Sequence, residues 1–424
     1  MRPLRRSSQV LLYLNANFQP RLTNASDPVA VEHRALLQFV LLYCALFSAF
    51  GFASPFFPAF LAGRGLGSEE LGLVLGAGTA VRLICGPVAG RVADRLQAFR
   101  AELAVFAIVA AGAALLYLAL DGFWAVLAIS LLQAAALGPL VPLADALCLA
   151  HARPRQSTGF EYGWVRGMGS AAFVVGTLLA GHAVEGYGLS AIMWLSATAL
   201  LALPFAAAVV PAFPGKAGGA PVPHARLDHP WLTLFRQRAF ARVTLIGALV
   251  LGSHAMYDSF AVIRWREAGI SLATIGVLWS ESVAGEVLVF LSIGMTILRV
   301  LRPTGALACA AACGLLRWAT MAETTEVAAL ALIQPLHGFT FALLHLASMR
   351  LITDTVPSVL AGTAQAVYGL VGVGGATAVL MIVSGWLYAR FGAAGFWAMA
   401  LLCVAAFPVI WSLHSLTHRQ GRAT

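Results

Sequence analysis

Two ionisable side chains of opposite charge, Arg82 and Glu286, sit near the middle of long apolar runs. They are 204 residues apart, and the same offset aligns their surroundings: Gly72 falls on Gly276, Gly90 on Gly294 and Arg95 on Arg299. LGLVLGAGTAV then stands opposite IGVLWSESVAG. An ionisable residue inside an apolar span is a candidate functional site, because burying it costs at least ~2.5–3.5 kcal/mol on insertion scales. Two such residues at repeat-related positions predict a polar site between two homologous halves.

The chemistry follows from the side chains. A guanidinium forks onto two oxygens, so Arg82 reads as the anchor for a carboxylate cargo; the other reading is a static ion pair with Asp145 or Glu286. Glu286 stands under two opposed influences, dry surroundings and a nearby guanidinium. A carboxyl balanced in that way can take and release a proton, as a symporter's proton site must; permanent pairing with Arg82 is the alternative. Glu281 is turned about 140° away on the same helix and is expected in an outer-half pair. Asp145 and Arg166, at matching depth in adjacent runs, are expected to form an ion pair, either a gate or a fixed bridge. His254, Tyr257 and Asp258 fall at i, i+3 and i+4 and so share a face. His254 and Tyr257 are read as cavity-lining hydrogen-bond donors or as satisfied packing residues. His337 and His345 are about 80° apart around one helix, so both can face inward. No third ligand shares their depth, and no metal is expected. Arg317, Glu323 and Glu326 are expected at the outer edge in ordinary solvated pairs.

The elements that must position these groups are apolar helices. The 424 residues are 60% hydrophobic and 11% charged, with mean hydropathy +0.84, a balance that suits a chain whose solvent is lipid. Twelve runs long enough to span a bilayer lie near 36–62, 70–93, 101–120, 122–150, 159–184, 188–211, 239–264, 271–298, 303–321, 325–353, 359–388 and 392–416. The expected fold is all-α: a polytopic membrane protein with twelve transmembrane helices in two pseudo-symmetric six-helix bundles around a central cavity. Its parts are a disordered cytoplasmic extension over 1–35, bundles over 36–211 and 239–416, a Pro- and Gly-rich linker over 212–238, and a tail over 417–424. Twenty of the 27 Lys and Arg fall on the side of the termini and the linker, against four on the other, so both termini are expected in the cytoplasm.

Several classes drop out. The charge of +9 makes no basic stripe with interleaved aromatics, so nucleic acid is not an expected partner. The six cysteines lie within apolar runs and form no CxxC pair. No Walker loop, HExxH or GxSxG is present to suggest an enzyme, and no soluble domain to suggest a receptor.

Two six-helix halves joined by a cytoplasmic linker resemble the major facilitator superfamily. Its signature loop between the second and third helices is matched here by Gly90-Arg91-Val92-Ala93-Asp94-Arg95, with Arg100 beyond it. The segments SPFFPAFLAGRGLGSEELGLVLGAGTAVRLICGP, PLADALCLAH, EYGWVRGMGSAAFVVG, HAMYDSFAVIRWREAGIS, SVAGEVLVF and LIQPLHGFTFALLHLASMR resemble the 3-phenylpropionate permease group. Met168 and Glu281 depart from that group's pattern. The resemblance implies proton-coupled symport of a small aromatic carboxylic acid across a bacterial inner membrane, by a monomer that uses the proton gradient and no cofactor. It gives Asp94 and Arg95 the part of a gate, and places His345 with Arg82, His254 and Tyr257 around the substrate. A neutral sugar or nucleoside is the competing cargo; it would require the charge of Arg82 to be cancelled within the protein.

Overall fold

The computed structural model describes residues 28–152, 160–213 and 230–420, and among these every regular element is a helix. Most of the expected N-terminal extension, most of the linker and the last four residues lie outside the described residues. In chain order the helices are α1 Pro28–Ala53, α2 Phe57–Gly63, α3 Ser68–Leu96, α4 Phe99–Ala119, α5 Phe123–Leu137 and α6 Leu140–His151. Then come α7 Tyr162–Tyr187, α8 Ala191–Val209, α9 Pro230–Arg236, α10 Arg238–Gly252, α11 Ala255–Glu267 and α12 Leu272–Leu288. The chain finishes with α13 Gly294–Glu323, α14 Val327–Ile333, α15 Leu344–Thr355, α16 Ala361–Val367, α17 Ala376–Phe391 and α18 Phe396–Gln420. The first helix thus begins at Pro28, inside the stretch read from the sequence as an extension.

Ten helical stretches among the described residues are long and apolar enough to cross a membrane. Helices suit this environment because each satisfies its own backbone polar groups. Two stretches, Leu272–Glu323 and Ser358–Leu416, hold 52 and 59 residues. A straight helix of that size would be about 80 Å long, far beyond a ~30 Å hydrocarbon core. The first is broken at Arg302, whose φ of 58° and ψ of 164° are non-helical and lie just before Pro303. The second turns at Gly392, with φ of 52°.

One break helps to build the site. Between α10 and α11 the helix loosens at Ser253 and His254, which frees carbonyl groups. Ser253 Oγ donates to Val250 O at 2.7 Å. His254 Nδ1 lies 3.1 Å from Val250 O and 3.2 Å from Leu251 O. Side chains therefore replace the lost backbone partners, and α11 follows with Tyr257 and Asp258 in its first turn.

The segments before and after the linker meet along two helix pairs, and each crossing is made of glycine. A Cβ on Gly72 of α3 would stand 2.7 Å from Met381 O and 2.8 Å from the Gly385 Cα of α17. A Cβ on Gly181 of α7 would stand 2.9 Å from Leu272 O, at the start of α12. Any larger residue must push the backbones apart. The same end is tied by Arg390 Nη1 to Glu69 Oε1 at 2.8 Å, and by Glu185 Oε2 accepting from the Ala273 N–H at 3.2 Å. At the other end of α3, Asp94 and Arg95 are exposed. The contact of Asp94 is local: its backbone carbonyl accepts from Gln97 Nε2 at 2.7 Å. The two segments are therefore clamped at the Glu69 end.

This clamp can be tested by cross-linking. With cysteines at positions 69 and 390, in a background cleared of native cysteine, a short bifunctional reagent should couple the two positions efficiently. Adding Gly72→Val should cut the yield to below about half, because the crossing cannot close over a side chain. An undiminished yield would show that the clamp does not depend on that glycine.

Candidate functional site

A cavity of about 290 Å³ lies just inside the clamp. Its walls come from both segments: Phe50, Phe57, Arg82, Tyr117, Ser130 and Gln133 from one side, and Asp258, Trp279 and Met381 from the other. Arg82 is the cation among the lining residues and Asp258 the carboxylate. Helix α3 can bring Arg82 here because Gly138, between α5 and α6, lies against its backbone; a Cβ on Gly138 would sit 3.1 Å from Arg82 O. The guanidinium has no hydrogen bond or ion pair among the described contacts, and Arg82 is exposed, with the cavity in front of it. Tyr117 OH and Ser130 Oγ satisfy each other at 2.8 Å. Trp279 stacks on Tyr257, ring centroids 4.9 Å apart at 19°, and forms an aromatic wall.

Behind that wall lies a second polar group built around Arg317. Its position near the end of α13 suggested a solvated edge residue, but it is buried, with 1% of its surface accessible. Tyr257 and Trp318 cover it, their ring centroids 5.0 and 4.7 Å from the guanidinium carbon. Nη1 donates to Thr340 Oγ1 at 3.2 Å and faces His337 Nδ1 at 3.1 Å and His254 Nε2 at 3.3 Å. Nη2 donates to Gln334 Oε1 at 3.4 Å, which also accepts from Tyr257 OH at 3.0 Å and Ser282 Oγ at 2.7 Å. A guanidinium only donates, so the two ring nitrogens facing it are acceptors. His254 then carries its proton on Nδ1, toward the freed carbonyls of α10. His337 carries its own on Nε2, toward Glu286 Oε2 at 3.6 Å.

Several sequence expectations are corrected by this geometry. Arg82 and Glu286 do not meet. Trp279 and Glu286 share a face of α12 but are two turns, about 10 Å, apart. The cavity is walled at Trp279, and Glu286 lies beyond it beside His337, with Arg166 and His345 in electrostatic reach. The Asp145–Arg166 pair is likewise not made. Asp145 Oδ1 accepts from Tyr43 OH at 2.5 Å and Tyr162 OH at 2.8 Å. Arg166, one turn beyond Tyr162, instead packs over the Phe47 ring at 4.5 Å. His254 and Tyr257 do not line the cavity; each is buried and held within the Arg317 group. His345 sits near Phe290, with ring centroids 6.1 Å apart. Glu281 makes no outer pair among the described contacts; its Oε2 is buried without a hydrogen-bond partner. Among the described residues no three His, Cys, Asp or Glu side chains gather into a metal site.

Sequence reasoning missed the cavity role of Asp258 and Gln133. Asp258 carried a usable signal, a carboxylate near mid-run on the His254 face. Asp258 reaches the cavity, while Tyr257, about 100° away around α11, lies behind the wall.

Comparison with known proteins places the chain. The model of the MFS_1 like family matches residues 36–419. The chain is 34% identical over 373 residues to the probable 3-phenylpropionic acid transporter of Escherichia coli (strain K12), covering 86% of this chain and 94% of that protein. It is 24% identical over 354 residues to the maltose permease of Geobacillus stearothermophilus, covering 83% of this chain and 88% of that one. The fold resembles the crystal structure of the nucleoside transporter NupG, with a TM-score of 0.76 at 16% identity over 90% of this chain and 99% of that one. A bacterial homologue of the human lysosomal transporter Spinster, solved inward-facing and unoccupied, gives 0.69 at 13% identity over 92% of this chain and 98% of that one. The chain belongs to the MFS_1 like family, as a multi-span membrane protein of the transporter kind and not an enzyme.

Proposed function

We propose that the protein takes up a small aromatic carboxylic acid together with protons, by alternating access of two six-helix halves. The observation that carries this reading is Arg82, a guanidinium facing a 290 Å³ cavity with no protein carboxylate bonded to it among the described contacts. A carboxylate cargo would give that guanidinium a directly bonded partner, which a neutral cargo would not. Phe50, Phe57 and Trp279 suit the aromatic body of such a molecule, and a cavity of this volume is at the small end of ligand sites. The relative in Escherichia coli, a probable 3-phenylpropionic acid transporter, supports the same cargo class.

The breaks at Arg302 and Gly392 support a count of twelve crossings, two within each of the overlong stretches. On this reading the halves span 36–211 and 239–416, with 212–238 as the linker, and they rock about the central cavity. Lys and Arg counts favour both termini in the cytoplasm, and the Escherichia coli relative favours a bacterial inner membrane. Glu286 is assigned to the proton path. It stands at the junction of Arg166, His337 and His345, where rocking of one half against the other changes its surroundings. Tyr43, Asp145 and Tyr162 form an inner-half latch, and Asp94 with Arg95 a gate that engages when the opposite end opens. The maltose permease relative favours a neutral sugar as the second reading.

Uptake assays separate these readings. Arg82→Ala should lower 3-phenylpropionate uptake by about a hundredfold, the scale expected when one partner of a desolvated charge pair is removed. Normal uptake by that variant would refute the anchor. Glu286→Gln should still exchange substrate across a proteoliposome membrane but should not concentrate it under a pH gradient. Full accumulation by that variant would remove Glu286 from the proton path.

A further inference from the structure

The cavity presents more than an anchor. Several of its polar lining residues lack a described hydrogen-bond partner for their side chains, among them the charged pair Arg82 and Asp258 and the amide Gln133. Tyr117 and Ser130 already bond to each other. Asp258 is half-buried, and the nearest opposite charge acting on it is Arg317, behind the aromatic wall. Its carboxylate therefore looks into the space that the cargo must fill.

An unsubstituted phenyl ring cannot satisfy that carboxylate. When such a molecule displaces water, Asp258 loses its hydration and receives only C–H groups in return, and a buried acceptor left unpaired is costly. A cargo with a hydroxyl removes the conflict, since a hydroxyl donates to Asp258 and can accept from the Gln133 amide. We infer that the substrate is a hydroxylated aromatic carboxylic acid, its carboxylate on Arg82 and its hydroxyl read by Asp258. This rests on the acid-transport reading above and narrows it to a substrate class. Asp258 is a specificity-determining residue on this account, and the ring lies against Trp279.

The test is competition in proteoliposomes holding the full-length wild-type protein. A labelled hydroxyphenylpropionate is taken up against unlabelled 3-phenylpropionate, its ring-hydroxylated isomers, a methoxy analogue, phenylalanine and maltose. At least one hydroxylated acid should compete at least about tenfold better than the unsubstituted and methoxy acids, because a site built to bond a hydroxyl rejects analogues without one. In Asp258→Ala that ratio should fall to within about twofold, through weaker competition by the hydroxylated acid. Equal competition by all the aromatic acids in the wild type would overturn the inference while leaving the acid reading intact. So would preference for phenylalanine, which would make the group read by Asp258 an amine. Competition by maltose and none of the acids would instead defeat the acid reading itself. Retention of the ratio in Asp258→Ala would overturn the inference, and if pH-driven accumulation were lost at the same time Asp258 would be a proton carrier instead. The wild-type comparison stands even where the variant fails to assemble.

Discussion

A guanidinium held in an apolar bundle without a bonded carboxylate is the constraint on which the remainder of this protein depends. Left against lipid, Arg82 would cost at least ~2.5–3.5 kcal/mol, so it must face polar space. The cavity provides that space, and several features serve to keep it. Gly72 and Gly181 let two helix pairs close over one end, while Phe57 and Trp279 wall the sides. Gly138 lets α3 lie close to its neighbours at the level of Arg82. The charge is thereby kept from lipid without a bonded protein carboxylate among the described contacts, which leaves its donors open to an anion.

Arg317 shows the opposite treatment of the same side chain. It is equally deep in an apolar run, yet two histidines, a threonine and a glutamine surround it and two aromatic rings cover it. Such a group has little capacity left for a ligand. It fixes the tautomers of His254 and His337, and through His337 it connects to Glu286. Both terminal nitrogens of Arg317 are thus engaged within the protein, while Arg82 faces the cavity with none engaged among the described contacts.

The membrane class, the helical architecture and the importance of Arg82 were legible in the sequence because each rests on local chemistry. An apolar run declares its solvent, and a lone charge within it declares a site. What could not be read was direction. The repeat offset paired Arg82 with Glu286 by position along the chain, but position says nothing about which wall a side chain faces. Asp258 and Tyr257 are neighbours in sequence, yet one lines the cavity and the other lies behind it. Successive helical residues point about 100° apart, so which of the two reaches the cavity is decided by how α11 packs against its neighbours. Asp145 was similarly misread because two phenols, one from α1 and one from α7, satisfy it in place of the expected guanidinium.

The most direct test of an open guanidinium is a ligand pair that differs only in charge. Binding of 3-phenylpropionate and of its uncharged amide to the purified protein can be compared by titration calorimetry at one pH. The account predicts that the acid binds and that the amide is weaker by about a hundredfold or more, the loss expected for a charge-assisted contact in a dry cavity. Equal affinities would contradict it, since Arg82 would then contribute nothing to holding the cargo.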